Sequence, residues 1–83
     1  MSYAIVWSEP SLDHAAGLLA DDGPGLAALM DRIDLLADDP RPDPSLPLGG
    51  EDLRRLTTGR YRVLYEVDDL VETITVVHVG RLG

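Results

Sequence analysis

Leu53-Arg54-Arg55-Leu56-Thr57-Thr58-Gly59-Arg60-Tyr61-Arg62-Val63-Leu64-Tyr65-Glu66-Val67 carries a period-two pattern interrupted at Gly59. In its second half Tyr61, Val63, Tyr65 and Val67 point one way, and Arg60, Arg62, Leu64 and Glu66 point the other. That alternation belongs to a strand with one buried and one open face. Gly59 is a plausible hairpin turn, so Leu53 to Thr58 and Arg60 to Val67 read as paired strands. Downstream, Asp68-Asp69-Leu70 supplies a second turn and Thr73 to Val79 a third strand, giving a β-meander.

Upstream, Pro40, Pro42, Pro44 and Pro47 with Gly49-Gly50 are expected to forbid regular structure from about residue 39 to 51. Before this connection Leu26, Leu29, Met30, Ile33, Leu36 and Ala37 form an apolar stripe at helical spacing. Gly23-Pro24-Gly25 is expected to separate that helix from an earlier one running to about Asp21. The earlier helix has Ser8 as its cap, Pro10 in its first turn, and Leu12, Ala15, Ala16 and Leu19 as its stripe. So short a break favours an αα-hairpin. Tyr3 to Trp7 is β-branched and aromatic, reads as a strand, and must join the sheet to satisfy its backbone. The expected fold is therefore α+β, β-α-α-β-β-β, with an antiparallel sheet of about four strands covered on one face by the helical hairpin.

All 83 residues fit one domain, 1–83, because the chain is too short for two cores. It has no Cys, which removes disulfides and thiolate chemistry, and no Phe, so Leu, Val, Ile and Ala must fill most of the interior. No apolar run is long enough to span a bilayer and the start is not that of a signal peptide, so an intracellular, cytoplasmic protein without a membrane partner is expected. The net charge is −8, and every base is Arg. Residues 1–52 hold eleven acids and two Arg, while residues 53–83 hold four acids and five Arg. The bulk chain does not look like a general nucleic-acid binder, but Arg54, Arg55, Arg60 and Arg62 form a local patch suited to an anion.

Four pieces, in this order and spacing, resemble the RelE/ParE superfamily of toxins from type II toxin–antitoxin modules. They are Tyr3-x-Ile5-x-Trp7, Ile33-Asp34-x-Leu36-Ala37-Asp38-Asp39-Pro40-Arg41-Pro42, the segment Leu53 to Val67, and Val77-x-Val79-Gly80-Arg81. The resemblance implies a toxin neutralised by a cognate antitoxin in a hetero-oligomer. It does not choose a branch: RelE-type members cut messenger RNA on the ribosome, whereas ParE-type members poison DNA gyrase. The first activity is the principal expectation, an endoribonuclease needing neither metal nor cofactor. The alternatives are a non-catalytic gyrase inhibitor and an inactive homologue that keeps antitoxin binding.

By the same resemblance Arg62 matches the arginine of the Gly-x-Tyr-Arg motif, Arg55 the basic residue seven positions earlier, and Arg81 lies beside the basic position after the final Val-Gly. Arg55, Arg62 and Arg81 are thus the expected catalytic residues, sharing the open face, with Arg54 and Arg60 as RNA-binding residues. Thr57 and Leu82 stand where relatives often carry basic side chains. Metal-free RNA cleavage needs proton transfer and stabilisation of a phosphorane, and Arg suits the second task because its planar fork holds phosphate oxygens and keeps its charge. His78, inside an apolar strand, reads as structural, with a titrating role as its alternative. Glu66 reads as a general base or as an ion-pair partner of Arg62. His14 is given no role.

Overall fold

The computed structural model describes residues 2–82. Seven elements follow in order: β1 (Ala4–Trp7), α1 (Glu9–Asp21), α2 (Gly23–Leu35), β2 (Leu46–Pro47), β3 (Leu53–Thr58), β4 (Tyr61–Asp68) and β5 (Thr73–Arg81). The five strands form one sheet in the order β1-β5-β4-β3-β2. The α+β class and the meander are as expected from the alternating pattern. The sheet is mixed, however, since β1 runs parallel to β5, with Ile5 opposite Ile74 and Trp7 opposite Val76. A side-chain pattern specifies which face of a strand is buried and leaves direction and partner open.

Two further differences come from proline and aspartate chemistry. The proline-rich connection holds a two-residue strand after all, in which Leu46 pairs with Arg55 and Pro47 with Arg54. Pro is tolerated there because β2 is an edge strand and its missing N–H leaves no ladder bond unmade. Gly23-Pro24-Gly25 does not separate the helices but forms the first turn of α2. The break is the single residue Asp22, which ends α1 and whose Oδ1 accepts from the Gly25 N–H at 3.1 Å. Pro is favourable in a first helical turn, where its N–H would lack a partner anyway. A Cβ at Gly25 would run into the Asp22 carboxylate, so the small residue is required by this cap.

The core lies between the helical hairpin and one face of the sheet. Leu29, Ile33 and Leu36 are at most 1% exposed, as are Leu56, Val63, Tyr65, Ile74, Val76 and Val79. Tyr61 and Val67 complete the buried side of β4, so its odd-numbered positions face the core as their alternation implied. The α1 stripe behaves differently. Its buried residues are Ser11 and Ala15, while Leu12 and Leu19 are more than half exposed. Together with Ala16, Leu26 and Met30 they line an apolar groove of about 540 Å³ between the helices.

Candidate functional site

The hairpin occupies one side of the sheet, so the site can be built from the other. Arg55 lies opposite Leu64, and Thr57 opposite Arg62, which puts Arg55 and Arg62 at diagonal positions on the bare face. Such diagonal neighbours are about 7–8 Å apart, close enough for two long side chains to reach one anion. Both are half-buried, and among the described residues neither makes a side-chain hydrogen bond or ion pair. Glu66 is exposed on the same face, and no Arg62–Glu66 ion pair is present among the described residues.

Strand β5 does not follow the expected parity. Leu64 pairs with His78 but Tyr65 pairs with Val76, so Val77 is an extra residue, a β-bulge. Downstream of it every side chain changes face. Val79 joins Val76 in the core, whereas His78 and Gly80 turn to the bare face, Gly80 directly opposite Arg62. Arg81 pairs with Tyr61 and therefore sits on the helix side, where its Nη2 reaches Asp21 Oδ2 at 2.5 Å. The expectation that Arg81 shares the open face with Arg55 and Arg62 is thus corrected: the bulge, invisible to simple alternation, turns it away.

Arg54 and Arg60 also lie elsewhere than expected. Arg54 has the parity of Leu56 and is only 7% exposed. Its Nε donates to Ser45 Oγ at 2.8 Å, its other nitrogens to the carbonyls of Ser45 and Glu51, and it approaches the Glu51 carboxylate at 3.6 Å. Ser45 is itself buried and donates to the Pro42 carbonyl at 2.7 Å, so Arg54 pins the proline-rich connection to β3. Arg54→Ala would strip the buried Ser45 oxygens of their donor. Leaving such groups unsatisfied costs about 1–3 kcal/mol. For a domain of this size the melting temperature should fall by roughly 5–20 °C. Thermal denaturation checks this, with Arg55→Ala as the neighbour that should change little. Arg60 is exposed in the Gly59 turn, where Gly59 has φ +57°, outside β3 and β4, and its charge helps to lower Asp22.

The helix side carries two polar clusters that the sequence reading did not single out. Tyr61 donates its hydroxyl to Asp22 Oδ2 at 2.7 Å, and that bond, with the Gly25 N–H and the charges of Arg60 and Arg81, holds the Asp22 carboxyl below its ordinary range. Tyr61 is correspondingly raised. At the opposite end Arg41 and the Tyr3 hydroxyl bind Asp69, which is likewise lowered. A carboxylate whose folded pKa is depressed stabilises the fold above its unfolded value and loses that contribution as pH falls through the folded value. Stability should therefore decline in acid below about pH 4, the ordinary carboxylate range. Tyr61→Phe should make the acid limb shallower, and melts across pH 2–7 measure it; an unchanged limb would show that the Tyr61 bond does not link Asp22 to folding.

The β5 edge beyond the end of β1 is closed by polar side chains of α1. Ser11 Oγ donates to the Val76 carbonyl at 3.0 Å, and His14 Nδ1 lies 3.3 Å from the Val79 carbonyl. His14 also meets His78 edge-on, with ring centroids 5.5 Å apart. Among the described residues no group of three or more His, Asp or Glu side chains could hold a metal ion, and no helix is long and apolar enough to cross a membrane.

A helical hairpin over one face of a short meander, with arginines on the bare face, is the α+β architecture expected of the toxins that the motifs resemble. The solved structures agree. Isolated E. coli RelE toxin matches with a TM-score of 0.85 at 20% identity, over 99% of this chain and 86% of that one. The RelBE2 toxin–antitoxin complex of Mycobacterium tuberculosis gives 0.81 at 22% identity, over 98% and 99%. The RelE–RelB complex of Pyrococcus horikoshii OT3 gives 0.81 at 22%, over 100% and 98%. At these identities the likeness is one of fold. No curated protein matches by sequence. The family profile of the ParE toxin of type II toxin–antitoxin systems, parDE, matches residues 12–82, and the chain belongs to that family.

Proposed function

We propose that this toxin is held silent by a cognate antitoxin and, when released in the cytoplasm, arrests translation by cutting messenger RNA on the ribosome. The observation that carries the reading is the pair Arg55 and Arg62, placed diagonally on the uncovered face of the sheet with no partner among the described residues. Two guanidiniums left without a carboxylate in so acidic a chain suit a phosphate brought to them. The acidic helical half disfavours long-range attraction to nucleic acid, so delivery depends on docking to the ribosome.

The antitoxin follows from the same chemistry as the groove. Leu12, Leu19 and Met30 leave an apolar surface between α1 and α2 that a partner segment can cover. Solved structures of the same fold are toxin–antitoxin complexes.

Inhibition of DNA gyrase is the second reading, favoured by the parDE description of the family profile. Induced expression separates the two. Immediate arrest of protein synthesis with cleaved messages supports the nuclease; DNA breaks with filamentation and intact messages support the gyrase inhibitor. Normal growth overturns both and leaves a homologue that only binds antitoxin.

A further inference from the structure

The β-bulge at Val77 places on the bare face a titratable group that neither the arginine pair nor strand parity accounts for. His78 and Gly80 follow one another on that face, and Gly80 lies opposite Arg62. The His78 ring leans along the strand over Gly80, with Nε2 only 3.0 Å from where a Cβ on that residue would stand. Glycine thus leaves room for the imidazole to lie over the strand, with Arg62 directly across from Gly80 on β4. From the strand edge His14 packs against the His78 ring at an interplanar angle of 66°, while its Nδ1 faces the Val79 carbonyl. The groups facing His78 are therefore His14 from α1, Arg62 across β4 and, farther along the face, Arg55 and Glu66. Bulges commonly sit beside active sites, where they re-aim a side chain.

We propose that His78 is the proton acceptor of this toxin's RNA cleavage and that Gly80 forms the floor of the site it shares with Arg62. The proposal rests on the nuclease reading above. Arginine never gives up its proton, so Arg55 and Arg62 can hold a phosphate but cannot activate the nucleophile. Imidazole can, since it exchanges protons near neutrality. Neutral His78 takes the proton of a ribose 2′-hydroxyl. The 2′-oxygen then bonds to the adjacent phosphorus, the bond from phosphorus to the 5′-oxygen breaks, and that oxygen takes a proton from water. The products are a 2′,3′-cyclic phosphate and a 5′-hydroxyl. The proton on His78 neutralises the hydroxide so formed, and the enzyme is reset. Arg62 stabilises the extra negative charge on the phosphorane. His14 touches neither substrate nor reacting atoms and is a support for the ring.

The test uses the full chain on ribosomes programmed with a defined message, in single turnover from pH 5.5 to 8.5, with folding followed by circular dichroism. Wild type should leave cyclic phosphate ends at a rate that rises across the acid side of the range. His78→Gln should cut the rate by about a hundredfold, within the range for losing a general base, and should abolish that rise while ribosome binding is kept. Gly80→Ala, which sets a methyl group against Nε2, should slow cleavage without removing any titratable group. A His78→Gln protein with the wild-type rate and pH profile, beside a slow Arg62→Ala protein, overturns the role of His78 and leaves the nuclease reading standing. Wild type that cuts nothing overturns both. Should His78→Gln not fold, Gly80→Ala decides: full activity there overturns the proposal.

Discussion

Leu36→Asp should leave the isolated domain unfolded at room temperature, whereas Leu35→Asp beside it should fold almost normally. Leu36 caps the C-terminal end of α2 and is 1% exposed within the cluster of Leu29, Ile33, Leu56 and Tyr65; Leu35 is 56% exposed. Aspartate at position 36 removes a buried leucine, which alone costs about 2–5 kcal/mol when truncated, and adds a charge with no partner in the core. Domains of this kind are stable by only about 5–15 kcal/mol, and one this small has little apolar area in reserve. Far-ultraviolet circular dichroism and thermal melts of both variants measure the contrast. A cooperative Leu36→Asp transition near that of wild type would mean that α2 does not hold the sheet face closed.

That contrast was readable in the sequence because α2 obeys a single period. Of the stripe Leu26, Leu29, Met30, Ile33, Leu36 and Ala37, the four at Leu26, Leu29, Ile33 and Leu36 are buried, whereas Met30 is exposed beside the groove and Ala37 is half-buried. The same holds for β4, whose alternation from Tyr61 to Val67 separates core from bare face without exception. What escaped were features set by contact rather than by period. The Val77 bulge depends on how β5 meets β4 and α1, and one inserted residue exchanges the faces of Arg81 and His78. Arg54 shares a charge with Arg55 and differs from it by one position. Its burial is decided by Ser45, which arrives from a connection that carries no period at all. Asp22 reads as one more acid until Tyr61 and Gly25 are brought to it by the fold. The α1 stripe was legible as apolar, but its exposed half can be assigned only once the depth of the groove is known. Period identifies elements and faces; which residues meet at a site follows from register.

On the nuclease reading proposed above, Arg62→Ala should lower cleavage of ribosome-bound message by a hundredfold or more while leaving the fold intact. Arg62 is in the middle strand of the meander, opposite Thr57 on one side and Gly80 on the other, so both of its neighbours are small and uncharged. With no carboxylate bound to it among the described residues, its charge is available to a phosphate. An interaction that strengthens as negative charge builds on phosphorus acts on the rate more than on binding, and loss of one such donor in other enzymes costs about 10²–10³ in turnover. Arg62→Lys should recover part of the activity, since a point charge replaces the fork without its two-pronged geometry. Arg81→Ala supplies the contrast: Arg81 is turned to Asp21 and Tyr61 on the helix side, so its removal should affect cleavage far less. Stability should hardly change for Arg62→Ala, because no internal bond is lost and surface substitutions of this sort stay within about 0.5 kcal/mol. Single-turnover rates of the three variants, with antitoxin binding as the check on folding, decide the matter. An Arg62→Ala protein that folds, binds antitoxin and cuts at the wild-type rate would remove the bare face from the chemistry and, with it, the main support for RNA as the target.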